Sequence, residues 1–312
     1  MRLMQNNFKK IAAVIVTYYA DQDILRSVVN SIIGQVATVI IVDNGSSNPW
    51  LSKLLRQKLD FDLILLESNL GIGSAQNIGI QRARDLSSDF VLLMDQDSVP
   101  SKNMVQLLLD TYQILVLSGK KISAIGPRFL DSESGRLSSH VAFGRFGTRR
   151  IDSSDGSNAV PVDFLISSGS LIPLHVLDNV GNMDGSLFID HVDTEWILRA
   201  HAKGYTAFGH AHATMTHSIG ENRLRFWYGR WREVPLHKTF RYYYVYRNAI
   251  LLMKRGYISR HWKRIEIFRL LQMTIFLLFF HPARHTYLKF MLKGIKDGIQ
   301  GRTGSFSPNP QD

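Results

Sequence analysis

The chain has 312 residues, 45% of them apolar, and no cysteine; this excludes disulfides and thiolate metal sites and leaves room for one large domain or two. Its net charge of +11 sits at one end: residues 221–302 hold eighteen Lys/Arg against four acids, so the remainder is near neutral. A tail of that kind calls for a polyanionic partner or an anionic membrane surface.

Lys9-Lys10 followed by "IAAVIVTYYA" has the outline of a signal peptide. The apolar part is short, no small-residue cleavage site follows, and Asp21 and Asp23 arrive at once, so Ile11–Val16 reads as a first buried strand. A helix over Asp23–Gly34, a strand over 37–43, a helix over Trp50–Leu59, a strand over 63–67, a helix over Ser74–Asp85 and a strand over Phe90–Met94 follow. Strands that are apolar throughout and alternate with helices predict an α/β fold with a mostly parallel sheet covered on both faces. Residues 119–160 are Gly/Ser-rich and read as a loop or β-rich insertion. Residues 162–173 read as strand, turn and strand, and Asp193–Tyr205 as a helix stopped by Gly204. Residues 222–300 read as helical, basic and aromatic, and 303–312 as a disordered tail. The apolar stretch at 270–281 is shorter than the roughly twenty residues that span a bilayer.

Ligands of parallel sheets bind at the carboxyl ends of the strands. The residues expected there are Thr17, Tyr18, Tyr19, Asp43, Asn44, Asn69, Gly71, Gly73, Asp95 and Asp97, a polar, small and acidic set. "NLGIGSAQNIG" at 69–79 is not a dinucleotide fingerprint, because Gln76 stands where a third glycine is needed and the turn opens the third βα unit. Its glycines would let the backbone approach a ligand, with Asn77 facing it one turn into the helix. Asp95 and Asp97 could serve as turn or cap residues. Two carboxylates one residue apart at the sheet's ligand edge also suit a hard cation, Mg²⁺ or Mn²⁺, that takes its remaining ligands from phosphate. Asp190, Asp193 and Glu195 cluster before Trp196. One of them can cap the helix, and three exceed what a cap needs; a carboxylate here could be the general base for a hydroxyl nucleophile. His210 and His212 read as incidental strand residues, whereas His217, before Ser218-Ile219-Gly220, could contact metal or phosphate.

The segments "VTYY", "VIIVDNGS", "NLGIGSAQNIG", "LLMDQDS", "FLISSGSLIP", "FIDHVDTEW", "LRAHAKGY" and "HSIG" resemble, in order and over about residues 10–220, an inverting family 2 glycosyltransferase with the GT-A fold. The set is most similar to rhamnosyltransferases of bacterial surface-polysaccharide, O-antigen-type assembly. The resemblance implies a GT-A catalytic domain over 1–220, its nucleotide-binding half at about 10–100 and its acceptor half at about 101–220, with 221–302 as a membrane-associating extension. It implies that Asp43 binds the nucleotide base, that Thr17, Tyr19, Asn44, Gly73, Asn77 and Asp95 line the donor site, and that Asp95 and Asp97 form a DxD metal motif with His217 close by. Matching "LRA" places Asp193 on the catalytic base, with Val192 standing where the family has Glu and Asp190 left as a competing base. Tyr19 stands where the family has Asn. Glu195 and Trp196 are expected on the acceptor side. The implied partners are dTDP-L-rhamnose, a lipid-diphosphate-linked saccharide and the anionic cytoplasmic face of the membrane, with Mg²⁺ or Mn²⁺ as cofactor and no nucleic acid. A non-catalytic membrane- or polyanion-binding module is the rival that the basic tail alone would allow.

Overall fold

A computed structural model describes residues 9–46, 48–54, 61–131, 135–145, 147–151, 158–217, 222–227 and 231–306. The first half follows the expected alternation: β1 (Ile11–Thr17), α1 (Gln22–Ile32), β2 (Thr38–Asp43), α2 (Pro49–Leu54), β3 (Asp62–Leu65), α3 (Ile72–Asp85) and β4 (Phe90–Asp95). Residues 55–60, the expected end of the second helix, lie outside the described residues. β3, β2, β1 and β4 pair in parallel, with Val14 opposite both Ile40 and Leu93. Because side chains alternate across a strand, each strand divides itself between two cores. Ala12, Val14, Ile40, Val42, Val91 and Leu93 enter the core beneath α3 and the later helices, and Ala13, Ile15, Val39, Ile41, Leu92 and Met94 enter the one beneath α1 and α4. That is why β1 and β4, and β2 after Thr38, lack polar residues until their carboxyl ends.

The second half completes the sheet with β5 (Val99–Pro100), α4 (Met104–Leu117), β6 (Ile122–Asp131), β7 (His140–Gly144), β8 (Gly147–Ile151), β9 (Ala159–Val162), β10 (Leu171–Pro173), α5 (Leu174–Val180), a 3-10 turn at Gly185–Leu187, α6 (Val192–Ala202) and β11 (Thr206–His217). The strand order is β3-β2-β1-β4-β10-β6-β11-β5, with β9 also on β11. β10 runs antiparallel between β4 and β6, while β6 and β11 are parallel to each other. The 119–160 region is therefore only partly an insertion. β6, whose first six residues are buried, is a central strand, and the β7–β8 hairpin is the added part.

The basic end begins differently from expectation. Residues 222–236 are expected as helix; instead β12 (Asn222–Trp227) pairs antiparallel with β13 (Trp231–Leu236), and 228–230 lie outside the described residues. The alternation of Arg223, Leu224, Arg225 and Phe226 has the two-residue period of a strand. Three helices follow, α7 (Thr239–Met253), α8 (Arg260–Phe280) and α9 (Arg284–Ile299). Leu252, Ile258 and Trp262 belong to the same core as β1 and α3; a further core joins Tyr242, Tyr246, Leu277, Tyr287 and Met291. Residues 303–306, expected as disordered, are docked: Gly304 N–H donates to the Ser186 carbonyl (2.7 Å), Phe306 N–H donates to Tyr244 Oη (2.7 Å), and the Phe306 ring lies 4.4 Å from that of Tyr243. Among the described residues no helix is long and apolar enough to cross a membrane.

Candidate active site

The site begins where β1, β2 and β4 end side by side. Thr17 and Asp43 face each other in register. The Thr17 hydroxyl donates to Asp43 Oδ1 (2.9 Å), which also accepts from the Ser46 hydroxyl (2.5 Å), while Oδ2 accepts from Ser46 N–H (3.0 Å). Asp43 is buried, and of the roughly four acceptor sites of a carboxylate one on Oδ2 is left for a ligand. Asn44 fastens the next loop: its Nδ2 donates to Asn69 Oδ1 (3.0 Å) and its Oδ1 accepts from Leu70 N–H (2.9 Å). Tyr19 adopts φ +48° and, with Tyr18 against it edge-on at 4.7 Å, stands exposed at the rim.

Gln96, between the two expected metal ligands, is bonded to the loop after β1. Its Oε1 accepts from Tyr18 N–H (2.7 Å) and its Nε2 donates to the Tyr18 carbonyl (3.3 Å), so the loops after β1 and β4 are clasped together. Asp95 N–H donates to the buried Ser168 hydroxyl (3.0 Å), which fixes the strand end. Asp95 and Asp97 are half-buried. Among the described residues no three His, Asp or Glu side chains converge on one point. Two carboxylate donors at this edge nevertheless fit Mg²⁺ or Mn²⁺, which is commonly held by one or two carboxylates and completed by substrate phosphates. His217 closes β11, and the preceding Thr216 lies opposite Val99 of β5, two residues past Asp97; its side chain lies outside what is described.

The Gly-rich turn, expected at the nucleotide, packs against another part of the chain. Gly71 has φ +84°, and a Cβ there would stand 2.5 Å from the Phe188 carbonyl oxygen, while one on Gly73 would stand 3.1 Å from that of Asp184. The glycines admit the protein's own 184–192 loop, and Ile72 N–H donates to the Phe188 carbonyl (2.7 Å). Asn77, expected to face the nucleotide, pairs both ends of its amide with the Met183 backbone (2.9 Å each). Gly73 and Asn77 thus hold the acid-bearing loop in place.

That loop is strained. Phe188, Asp190 and His191 have φ of +65°, +64° and +62°, each costing about 1–3 kcal/mol for a residue with a side chain. The C-terminal helices hold it. Asn248 Nδ2, fully buried on α7, donates to the carbonyls of Leu187, Ile189 and Asp190 (2.9, 2.8 and 2.9 Å). Arg247 beside it donates to the Leu187 carbonyl (2.9 Å) and to that of Gly304 (2.6 Å). Arg241 grips both oxygens of Asp190 (2.5 and 3.3 Å). Burial opposes the charge of Arg241, but Asp190 and, more weakly, Asp95 raise its pKa, which ties this cation to the carboxylate that ends β4 too. From α8, Glu266 Oε1 meets His191 Nε2 at 2.9 Å. Burial alone would push Glu266 up; hydrogen bonds from Arg269 and His191 bring it down to about 2.

Asp193 lies in the first turn of α6, and among the described residues it accepts from its own neighbour, Thr194 N–H (2.7 Å) and hydroxyl (3.3 Å). Desolvation pushes its carboxyl above the ordinary range; Thr194 and His191 oppose that and Asp190 adds to it. The two candidate bases therefore differ in kind: Asp190 is locked to an arginine, and among the described residues Asp193 has no arginine or lysine as a hydrogen-bond partner. Glu195 and Trp196 need correction as acceptor-side residues. Glu195 is fully buried, with Arg199 on both oxygens (2.8 Å each), Arg255 at 3.0 Å and the Tyr257 hydroxyl at 2.5 Å. Trp196 is buried and donates to the Gly181 carbonyl (2.8 Å). Both are structural because α6 turns that side inward. A groove of about 470 Å³ beside Arg149, Asp163 and His201 holds none of the site residues. Gln96, Arg241, Asn248 and Glu266 are missed by the sequence reading. The Arg247-Asn248 pair inside an aromatic helical run is a signal that could find Asn248, since buried polar groups need partners.

Known proteins match this arrangement. The sequence profile "Glycosyl transferase family 2" matches residues 13–131. The chain is 30% identical over 295 residues to a dTDP-rhamnosyl transferase, RfbF, of Shigella flexneri, covering 94% of this chain and 97% of the relative. It is 24% identical to the low-salt glycan biosynthesis hexosyltransferase Agl10 of Haloferax volcanii, over 97% of this chain and 95% of that one. Among solved structures, S. aureus TarS 1-349 in complex with UDP-GlcNAc superposes with a TM-score of 0.56 at 15% identity, over 94% of this chain and 92% of that one. GalNAc-T7 with UDP, GalNAc and Mn²⁺ gives 0.56 at 15% identity, over 67% and 43%. With relatedness along nearly its whole length and the mixed sheet whose strand ends gather Thr17, Asp43, Asp95 and Asp97, the chain belongs to glycosyltransferase family 2 and is a glycosyltransferase of the GT-A fold.

Proposed function

We propose that the enzyme moves L-rhamnose from dTDP-β-L-rhamnose to a hydroxyl of a lipid-diphosphate-linked saccharide, inverting the anomeric carbon, in the assembly of a bacterial surface polysaccharide of the O-antigen type. The observation that carries the chemistry is Asp193, a carboxyl raised by desolvation, next to the Asp190 that Arg241 holds, and among the described residues without an arginine or lysine as hydrogen-bond partner. Asp193 takes the acceptor hydroxyl proton as the new oxygen–carbon bond forms; the bond from the anomeric carbon to the diphosphate breaks, and dTDP leaves with the electron pair. A single displacement of a β-L-rhamnosyl donor gives an α-L-rhamnoside. Asp95 and Asp97, with His217 near, would hold Mg²⁺ or Mn²⁺, which offsets the charge growing on the leaving diphosphate. Thr17, Tyr19, Asp43 and Asn44 shape the nucleoside end, and Arg241 keeps Asp190 out of competition for the proton.

The rhamnosyl donor is supported by the full-length relative named for dTDP-rhamnose. The hexosyltransferase relative and the neighbour crystallised with UDP-GlcNAc keep other sugar donors as the alternative. The protein would work peripherally on the cytoplasmic membrane face, where such an acceptor presents its saccharide. The test is nucleotide release and thermal shift with a panel of nucleotide sugars and Mg²⁺ or Mn²⁺. dTDP-L-rhamnose should raise apparent stability and be slowly hydrolysed; the same response to a UDP-sugar, with none to dTDP-L-rhamnose, overturns the donor assignment.

A further inference from the structure

Helix α8 has two faces of opposite character. The inner face carries Glu266 to His191 and buries Trp262, Ile265, Leu270 and Leu277. The outer face runs from the exposed Arg260 and Arg264 into Ile267, Phe268, Leu271, Ile275 and Phe279, which are 47, 52, 56, 55 and 77% exposed. Steps of three or four residues put all of these on one side of the helix. A continuous apolar stripe of this size left open to water marks an interaction surface.

We propose that this stripe seats the enzyme on an anionic lipid bilayer, with the Phe279 end entering the boundary between headgroups and acyl chains and Arg260 and Arg264 set against lipid phosphates. The proposal rests on the glycosyl-transfer reading only in saying what the seat serves. Charge decides for lipid over a second copy of the chain. Between residues 260 and 300 the only acids are Glu266 and Asp297, and both are buried and paired, Glu266 with Arg269 and His191, Asp297 with Arg302 and Tyr243. Two copies joined along the stripe would bring Arg260 and Arg264 to apolar residues or to each other without a counter-charge; anionic headgroups provide one. The helix cannot cross a membrane, so the insertion is shallow. Since the opposite face of α8 holds the loop carrying Asp190 and Asp193, the seat fixes the distance from membrane to base, and a lipid-linked acceptor meets the base from the same surface.

The test is co-sedimentation of the full chain with vesicles of phosphatidylcholine alone or mixed with phosphatidylglycerol, alongside size-exclusion chromatography. The wild type should bind the mixed vesicles at low salt and be released at high salt. The pairs R260E/R264E and L271S/F279S should each weaken binding about tenfold or more while leaving donor hydrolysis in solution unchanged. Wild-type-like vesicle binding by both pairs overturns the proposal, as does a wild-type dimer that L271S/F279S dissociates without vesicle binding in either protein. Loss of donor hydrolysis in the wild type, with vesicle binding intact, would sink the chemistry and leave the seat standing.

Discussion

Replacing each candidate base by asparagine should separate Asp193 from Asp190 by stability as well as by rate. Asp193→Asn removes a charge that burial disfavours, and an amide oxygen can still accept from Thr194 N–H. The folded state holds its proton to higher pH than the unfolded chain, so the charged carboxylate costs stability as pH rises through that shifted range. The variant should therefore be at least as stable as the wild type at neutral pH, with the difference shrinking as pH falls. Its kcat should drop about 10²–10⁴-fold with donor KM little changed, the loss expected of a general base. Asp190→Asn instead strands Arg241, a cation whose side chain is 31% exposed. Breaking a buried pair costs about 3–5 kcal/mol; with that exposure about 2–3 kcal/mol is expected. Urea unfolding and dTDP release with saturating acceptor measure both quantities on the same preparations. An active Asp193→Asn together with an inactive but fully stable Asp190→Asn would refute the assignment.

Asp97→Asn should cut transfer at least ~100-fold by removing one anionic ligand, and titration of dTDP release against Mg²⁺ and Mn²⁺ should show weakened metal dependence; unchanged activity and metal response would remove Asp97 from the site. Asn248→Ala takes the side-chain donor from the Ile189 and Asp190 carbonyls, while Leu187 keeps Arg247, at about 1–3 kcal/mol for an unsatisfied buried group, and should lower kcat while donor affinity holds. Tyr246→Phe, on the same helix but bonded, among the described residues, to Leu270 and Thr274 on α8, should lose stability without losing kcat. Glu266 is held at about 2 against an ordinary 4.5, so its contribution is complete above about 4.5 and disappears as pH falls toward 2; Glu266→Gln should flatten the acid limb of the stability curve over that window.

The ligand edge of the sheet is legible in the chain because β1, β2 and β4 are buried on both faces: an apolar run that breaks into Thr17, Asp43 or Asp95 announces both the strand and its end. The order of the glycosyltransferase segments is legible for the same reason. What the glycines and Asn77 are for is not, since their partners at Met183, Asp184 and Phe188 lie about a hundred residues away and only tertiary packing joins them. The misassignment of Glu195 follows from helix geometry. Residues two apart on a helix point about 200° apart, so the half-buried Asp193 and the fully buried Glu195 lie on different sides of α6. The β12–β13 pair is hidden by composition, because the basic, aromatic character it shares with the helices after it masks its two-residue period.

Asn248, Arg241 and Glu266 reach back to a loop made some fifty to seventy-five residues earlier, and that has a consequence for the order in which the enzyme comes into being. Synthesis runs from the amino end, and early segments fold while later ones are still being made. The sheet with its strand-end carboxylates can form first, but the strained turn at Phe188–His191 gains its donors only after α7 and α8 have left the ribosome. A nascent chain stopped near residue 220 would hold the donor half of the centre without a fixed base. Chimeras that exchange the carboxyl-terminal third between relatives would have to exchange this turn with it, because the arginine, asparagine and glutamate that shape it travel on the other piece.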